Sequence, residues 1–153
     1  MLAQRVGPML TKEILRIKGN ALYTIGPQGT LAEAIEALVE YDIGSLVVMD
    51  RGKLVGMLTF REVLRAMAEA KEHAGARTIA EVMVTEPPAV GPDVEMDELR
   101  RLMLEAHCRY VPVMDDRVLV GVLSFHDVAK AVLEEQSFEN RMLKGYIKNW
   151  PDE

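Results

Sequence analysis

A hydrophobic stretch that occurs twice constrains this chain more than any other feature. Gly44 to Val63 (GSLVVMDRGKLVGMLTFREV) and Arg109 to Val128 (RYVPVMDDRVLVGVLSFHDV) align without a gap at a spacing of 65 residues and share nine of twenty positions. The identities are Val48/Val113, Met49/Met114, Asp50/Asp115, Leu54/Leu119, Val55/Val120, Gly56/Gly121, Leu58/Leu123, Phe60/Phe125 and Val63/Val128. Matching at that density is far above chance, so the fold must contain one unit twice.

Each copy reads as an apolar run, a polar turn (Asp50-Arg51-Gly52-Lys53 or Asp115-Asp116-Arg117), a second apolar run and a helix. Two β-rich runs joined by a short polar turn predict a hairpin. The second run ends on Thr59 or Ser124, a hydroxyl residue suited to cap the helix that follows. A strand feeding a helix start also offers free backbone N–H groups and the positive end of the helix dipole to an anion. Function is therefore sought at these two junctions.

Upstream, Met9, Leu10, Ile14 and Ile17 give a short helical pattern stopping at Gly19. Leu22 to Ile25 reads as a brief strand closed by Gly26-Pro27-Gln28-Gly29, and Thr30 as the N-cap of a helix carrying Leu31, Ala34, Ile35, Leu38 and Val39 on one stripe. The second unit repeats this order after a polar stretch with Gly75. Thr78 to Met83 is a short capped helix, Ala89-Val90 the brief strand, Gly91-Pro92-Asp93 the turn, and Met96, Leu99, Met103 and Leu104 the helix stripe. The fold class is α+β (α/β): two β-α-β-β-α repeats, over 8–72 and 76–134, with a C-terminal helical extension over 135–153. One unit of about 60 residues buries little surface alone, so the two are expected to pack sheet to sheet about a pseudo-twofold axis, leaving one cleft per repeat. On the extension, Phe138, Met142, Leu143, Tyr146 and Ile147 form a face with no place in either repeat, which suggests a contact with a neighbouring subunit, the alternative being that it folds back on its own chain.

Composition narrows the class of function. A net charge of −6 with no Lys/Arg run argues against nucleic acid, whose phosphate backbone needs a basic face. No stretch approaches the about 18 apolar residues of a membrane span, the N-terminus lacks the apolar core of a signal peptide, and the one cysteine, Cys108, fits a reducing compartment. The reading is cytoplasmic. Adjacent His107 and Cys108 lack metal-ligand spacing, so no metal is expected, and His73 reads as a solvated helix-end residue. The motifs of serine hydrolases, zinc proteases and Walker-type ATPases are missing, and an enzyme is not expected.

The duplicated hairpin, ending in Gly, two apolar residues, Thr/Ser, an apolar residue, any residue and Asp/Glu, with RYVPVMDD before the second copy, resembles the cystathionine-β-synthase (CBS) domain. Two in tandem form a Bateman module, and QSFENRMLKGYI resembles the tail of small stand-alone bacterial proteins of this type. The resemblance spans Met9 to Leu133. It implies an energy-sensing regulatory module, paired as a homodimer, that binds AMP, ADP, ATP, NAD(H) or S-adenosylmethionine and signals to a regulated protein partner.

Carried over by residue, the resemblance implies that Ser124 contacts phosphate, Asp127 takes the ribose hydroxyls, and Arg109 adds charge-assisted bonds to phosphate with His126 assisting. The adenine slot falls to Leu22, Ile25, Ile43 and Gly44. The first repeat offers a weaker second site at Thr59, Glu62 and Arg61, because Glu62 replaces Asp and Gly44 stands where the second repeat has Arg109. The structural alternative is that Thr59 and Glu62 form a capping box, the Glu returning to the N-cap N–H. Asp127, one methylene shorter, is expected to be freer for a ligand. Against the sensor stands a different class of reading, a ligand-independent homodimeric scaffold whose clefts are vestigial.

Overall fold

The computed structural model describes residues 7–19 and 21–148, with side chains along the last helix to Gln136 and at Arg141. In chain order the elements are α1 (Thr11–Lys18), β1 (Thr24–Ile25), α2 (Leu31–Glu40), β2 (Ser45–Asp50), β3 (Lys53–Thr59), α3 (Phe60–Ala70), α4 (Ile79–Val82), β4 (Val84–Thr85), α5 (Met96–Glu105), β5 (Tyr110–Asp115), β6 (Val118–Ser124) and α6 (Phe125–Lys148), with a 3-10 turn at Lys71–Ala76. Both hairpins form, and each carries a register shift at the same place, between Val48 and Met49 and between Val113 and Met114. The first hairpin turns through Arg51 and Gly52, both at positive φ (52° and 77°), which matches the right-handed twist of the flanking strands. β1 pairs parallel to β2 through Ile25 and Val48, and Val90 bridges Val113 in the same sense, so the brief strand of each repeat occupies the same position.

The helix caps follow the sequence. Thr30 and Thr78 accept from the N–H groups of Glu33 and Glu81, three residues on. Each such cap satisfies a backbone donor that the first helical turn leaves unpaired.

Two cores result, and the opening helices are exchanged between them. Met9 and Ile14, at the start of the first repeat, are buried with Met96, Leu99, Val111, Val113, Leu123 and Val128 of the second. Ile79, which opens the second repeat, is buried with Leu31, Leu38, Leu46, Val48 and Leu58 of the first. Backbone bonds fix both crossings in the same way. Thr11 N–H donates to Val94 O (2.8 Å) and Met96 N–H to Met9 O (2.9 Å); Leu31 N–H donates to Arg77 O (2.8 Å) and Ile79 N–H to Gly29 O (2.9 Å).

The glycine shared by the two hairpins makes room for the exchange. A Cβ at Gly121 would stand 2.7 Å from Leu15 Cδ2 of α1. One at Gly56 would meet Met83 and stand 2.8 Å from Val84 O. Leu15 and Met83 are thus equivalent, each crossing the middle of the other repeat's hairpin.

Four features differ from the pattern read in the sequence. Each repeat is completed by the other's opening helix, not its own, because an apolar helix face is satisfied by either core. The strand expected at Leu22 to Ile25 is confined to Thr24–Ile25. Val84–Thr85 adds an edge strand beside β3, where α1 in the other half continues as helix. Val39 and Leu104, placed on the buried stripes of α2 and α5, are 75% and 59% exposed, since the stripe rotates outward by the last turn. The apolar face expected at Phe138, Met142, Leu143, Tyr146 and Ile147 lies outside the described side chains.

Candidate functional site

The second junction is the better furnished. Ser124 N–H donates to Asp127 Oδ2 (2.8 Å), and Asp127 N–H donates to Ser124 Oγ (3.0 Å). The shorter Asp127 side chain, expected to be freer for a ligand, nevertheless closes a capping box. Both strong bonds to the carboxylate fall on the same oxygen, however. The second comes from Lys18 at the end of α1, whose ammonium lies 2.9 Å from Asp127 Oδ2 and also donates to Val122 O at 2.6 Å. The Ser124 hydroxyl also bonds the Asp127 carboxylate, so the pair is tied to itself as well as to Lys18.

Asp127 is half-buried, its side chain 16% exposed. Burial alone pushes the carboxyl pKa up, but the bonds from Lys18 and Ser124, with the Lys18 charge, outweigh it and hold the group below the ordinary carboxylate value. The carboxylate faces a groove between α1 and the first turns of α6, with a cavity volume of about 130 Å³, lined by Ile14, Ile17, Lys18, His126, Asp127, Lys130 and Ala131. Lys130 follows His126 by one helical turn and shares its face.

The other expected residues are distributed as follows. Phe125 N–H donates to Arg109 O (2.7 Å), which ties the strand entry to the helix start, and the Arg109 side chain is exposed. Ile25 and Ile43 are half-buried against the first core, and Leu22 is 36% exposed. Beside them the rings of Tyr23 and Tyr41 stack at 4.5 Å. Gly44 is where the halves meet: a Cβ there would collide with the Tyr110 hydroxyl and stand 2.7 Å from its Cζ. Gly44 is thus packed beneath the residue that follows Arg109, and a side chain there would require the Tyr110 ring to move.

At the first junction the capping-box alternative is what forms. Glu62 Oε1 accepts from Thr59 N–H (2.8 Å) and from its hydroxyl (2.7 Å), and Glu62 is only 5% exposed. Arg61 N–H donates to Thr59 Oγ1 (3.3 Å), while its side chain is exposed. With one carboxylate oxygen taking both bonds and little of the residue open to solvent, Glu62 has less to offer a ligand than Asp127.

Sequence reading missed Lys18, Lys130 and Tyr110. A lysine in the last turn of a helix is an ordinary dipole partner, and nothing in the sequence connects it to a carboxylate on another element. Cys108 is half-buried, and burial raises its thiol pKa, so it is not a reactive thiolate. Among the described residues no three His, Cys, Asp or Glu side chains converge as a metal would require, and no helix is long and apolar enough to cross a membrane.

The family profile for the CBS domain matches residues 11–69 and 79–134. The chain belongs to the CBS-domain family. This CBS pair is 30% identical to the CBS domain-containing protein YhcV of Bacillus subtilis over 115 residues, 74% of this chain and 81% of that protein. Its fold is similar to the CBS domain pair of MJ0100 in complex with 5′-methylthioadenosine and S-adenosyl-L-methionine, with a TM-score of 0.75 and 27% identity, covering 84% of this chain and 99% of that one. It is also similar to CBSX2 in complex with AMP, with a TM-score of 0.65 and 26% identity, covering 75% and 90% of the two chains.

Proposed function

We propose that the chain is a non-catalytic, cytoplasmic regulatory module that takes one adenosine-containing ligand at the second junction and passes the change in shape to a protein partner. The observation that carries this reading is the state of Asp127: a carboxylate whose pKa Lys18 and Ser124 hold below the ordinary value and which lines a groove between α1 and α6. Such a carboxylate can accept from a vicinal diol, as acidic residues do at the ribose of other nucleotide sites. The Ser124 hydroxyl and the start of a 24-residue helix are suited to phosphate, with Arg109 and His126 as supporting donors. Leu22, Ile25, Ile43 and Gly44 of the first repeat supply the adenine slot, so the ligand touches both halves. The adenosine ligands named for MJ0100 and CBSX2 support the ligand class. Candidates are AMP, ADP, ATP, NAD(H) and S-adenosylmethionine. Thr59, Arg61 and Glu62 form a cap and the weaker second site.

A ligand moves such a module only by binding one arrangement better than another. The arrangement here is the clasp of two repeats, over 8–72 and 76–134, through exchanged helices, with 135–153 as an extension reaching a second subunit. A scaffold reading has one observation in its favour: Phe60, Leu64 and Met67 on α3 and Phe125 and Leu133 on α6 are exposed apolar residues on equivalent faces, as a homodimer requires.

Calorimetric titration with AMP, ATP, NADH and S-adenosylmethionine separates the two. Under the sensing reading at least one binds, and Asp127→Ala weakens it by about 1.5–3 kcal/mol, the scale of a charged hydrogen bond. Glu62→Ala weakens it less. Equal effects of the two substitutions would remove the ribose assignment, and no binding at millimolar concentration would leave the scaffold.

A further inference from the structure

We propose that Lys18 sets the ligand specificity of the second junction, holding Asp127 while the site is empty and transferring to the ligand's phosphate when the ribose takes the carboxylate. This inference rests on the adenosine reading above and names the ligand class within it: an adenosine phosphate in preference to an uncharged nucleoside or a sulfonium.

The geometry begins with where Lys18 comes from. It ends α1, a helix of the first repeat seated in the second repeat's core by Met9 and Ile14 and by Leu15 over Gly121. That packing brings its ammonium to Asp127 Oδ2 at 2.9 Å and Val122 O at 2.6 Å. Gly19, at φ 102°, ends the helix immediately after it, and the lysine side chain is 30% exposed, so the stem can swing without disturbing the buried face.

The groove beside the pair holds about 130 Å³, below the roughly 300 Å³ at which small-molecule pockets begin. Lys18 is one of its walls. A nucleoside reaching Asp127 must displace that ammonium or share the carboxylate with it.

Charge then decides which ligand the exchange favours. With the pair intact, Asp127 offsets Lys18, and Lys130 is a second cation of the groove with His126 beside it and no ion pair among the described residues. Once the hydroxyls of a diol donate to the carboxylate, the released ammonium needs a new acceptor. A phosphate supplies two or more negative oxygens and pairs with Lys18 and Lys130 together. An uncharged nucleoside supplies none, and the cationic sulfonium of S-adenosylmethionine adds a like charge.

The first repeat provides the contrast. Leu15 crosses Gly121 as Met83 crosses Gly56, but there the helix has already ended and Val84–Thr85 runs on as a strand beside β3, so no helix end stands in Lys18's place. Among the described residues no cation is paired with Glu62. Phosphate selection is therefore expected at one junction of the two.

The test is calorimetric titration of the full chain and of Lys18→Met and Lys18→Arg with AMP, adenosine and S-adenosylmethionine, with circular dichroism establishing that each variant is folded. The wild type is expected to prefer AMP over adenosine by at least about tenfold, at one site per chain. Lys18→Met should reduce AMP affinity by about tenfold, leave adenosine within about twofold or tighten it, and narrow the gap to S-adenosylmethionine; Lys18→Arg should retain the preference. If Lys18→Met weakens AMP and adenosine equally, or if the wild type prefers S-adenosylmethionine, the specificity role is wrong and the adenosine reading survives. If the wild type binds none of the three, both are wrong.

Discussion

Replacing Ile14 by alanine tests the exchange of opening helices on which the site depends. Ile14 is 1% exposed, and every core residue grouped with it beyond Met9 belongs to the second repeat. The substitution removes three buried carbons, about 2.4 kcal/mol at ~0.8 kcal/mol each, and the cavity left behind brings the cost to about 3–4 kcal/mol. Ile17, one turn on and 47% exposed, provides the control, since its truncation should cost under ~1 kcal/mol. Urea unfolding followed by circular dichroism measures the loss, and amide hydrogen exchange locates it. Protection should fall first in β5 and β6, although the mutation lies in the first repeat by sequence, and Asp127 should lose part of its grip on Lys18 because α1 is no longer held in register. Exchange that quickens only in β2 and β3, with β5 and β6 untouched, would refute the crossed packing and with it the route by which Lys18 reaches the site.

Two further outcomes follow from the geometry. Asp127 has a folded pKa below its unfolded one, so its stabilising contribution is complete above the unfolded carboxylate pKa and disappears as pH falls through the folded value. Because the group is only half-buried, screening limits that contribution to about 1 kcal/mol; the stability gap between wild type and Lys18→Met, measured by urea titration, should be present at pH 7 and close below about pH 4, and a gap that does not vary with pH contradicts the ion pair. Leu64 and Leu133 are 65% and 63% exposed on α3 and α6; the proposed homodimer through this face predicts that Leu64→Glu with Leu133→Glu shifts the wild-type dimer to monomer in sedimentation velocity, and a monomeric wild type or a dimer that the substitutions leave unchanged refutes it.

What could be read from the sequence is what local chemistry decides. The hairpins, their turns and the caps at Thr30, Thr59, Thr78 and Ser124 depend on residues within three or four positions of one another, and each stands where the pattern put it. The two-residue strand Val84–Thr85 is too short for an alternating signal, and it forms because Gly56 lets Met83 and Val84 approach β3. The amphipathic faces of α1 and α4 say that each helix is buried but not against which core, since two near-identical units offer near-identical surfaces. The exchange is therefore invisible to periodicity.

The same reasoning explains why half of the candidate site was legible. Ser124 and Asp127 are three residues apart and belong to one helix start, so their juxtaposition follows from capping alone. Lys18 joins them only through α1's placement in the other repeat, which no spacing rule reports. The aspartate, expected to be the poorer partner for the box, closes it as the glutamate does: Asp127 accepts from Ser124 N–H on Oδ2, and Glu62 accepts from the Thr59 N–H and hydroxyl on Oε1. The two differ in their surroundings, Glu62 sinking to 5% exposure while Asp127 is half-buried and paired with Lys18. Duplication thus produced two equivalent helix starts, and one methylene together with one charge, Lys18, which α1 brings to only one of them, is enough to make one a buried capped junction and the other a junction whose carboxylate lines a groove.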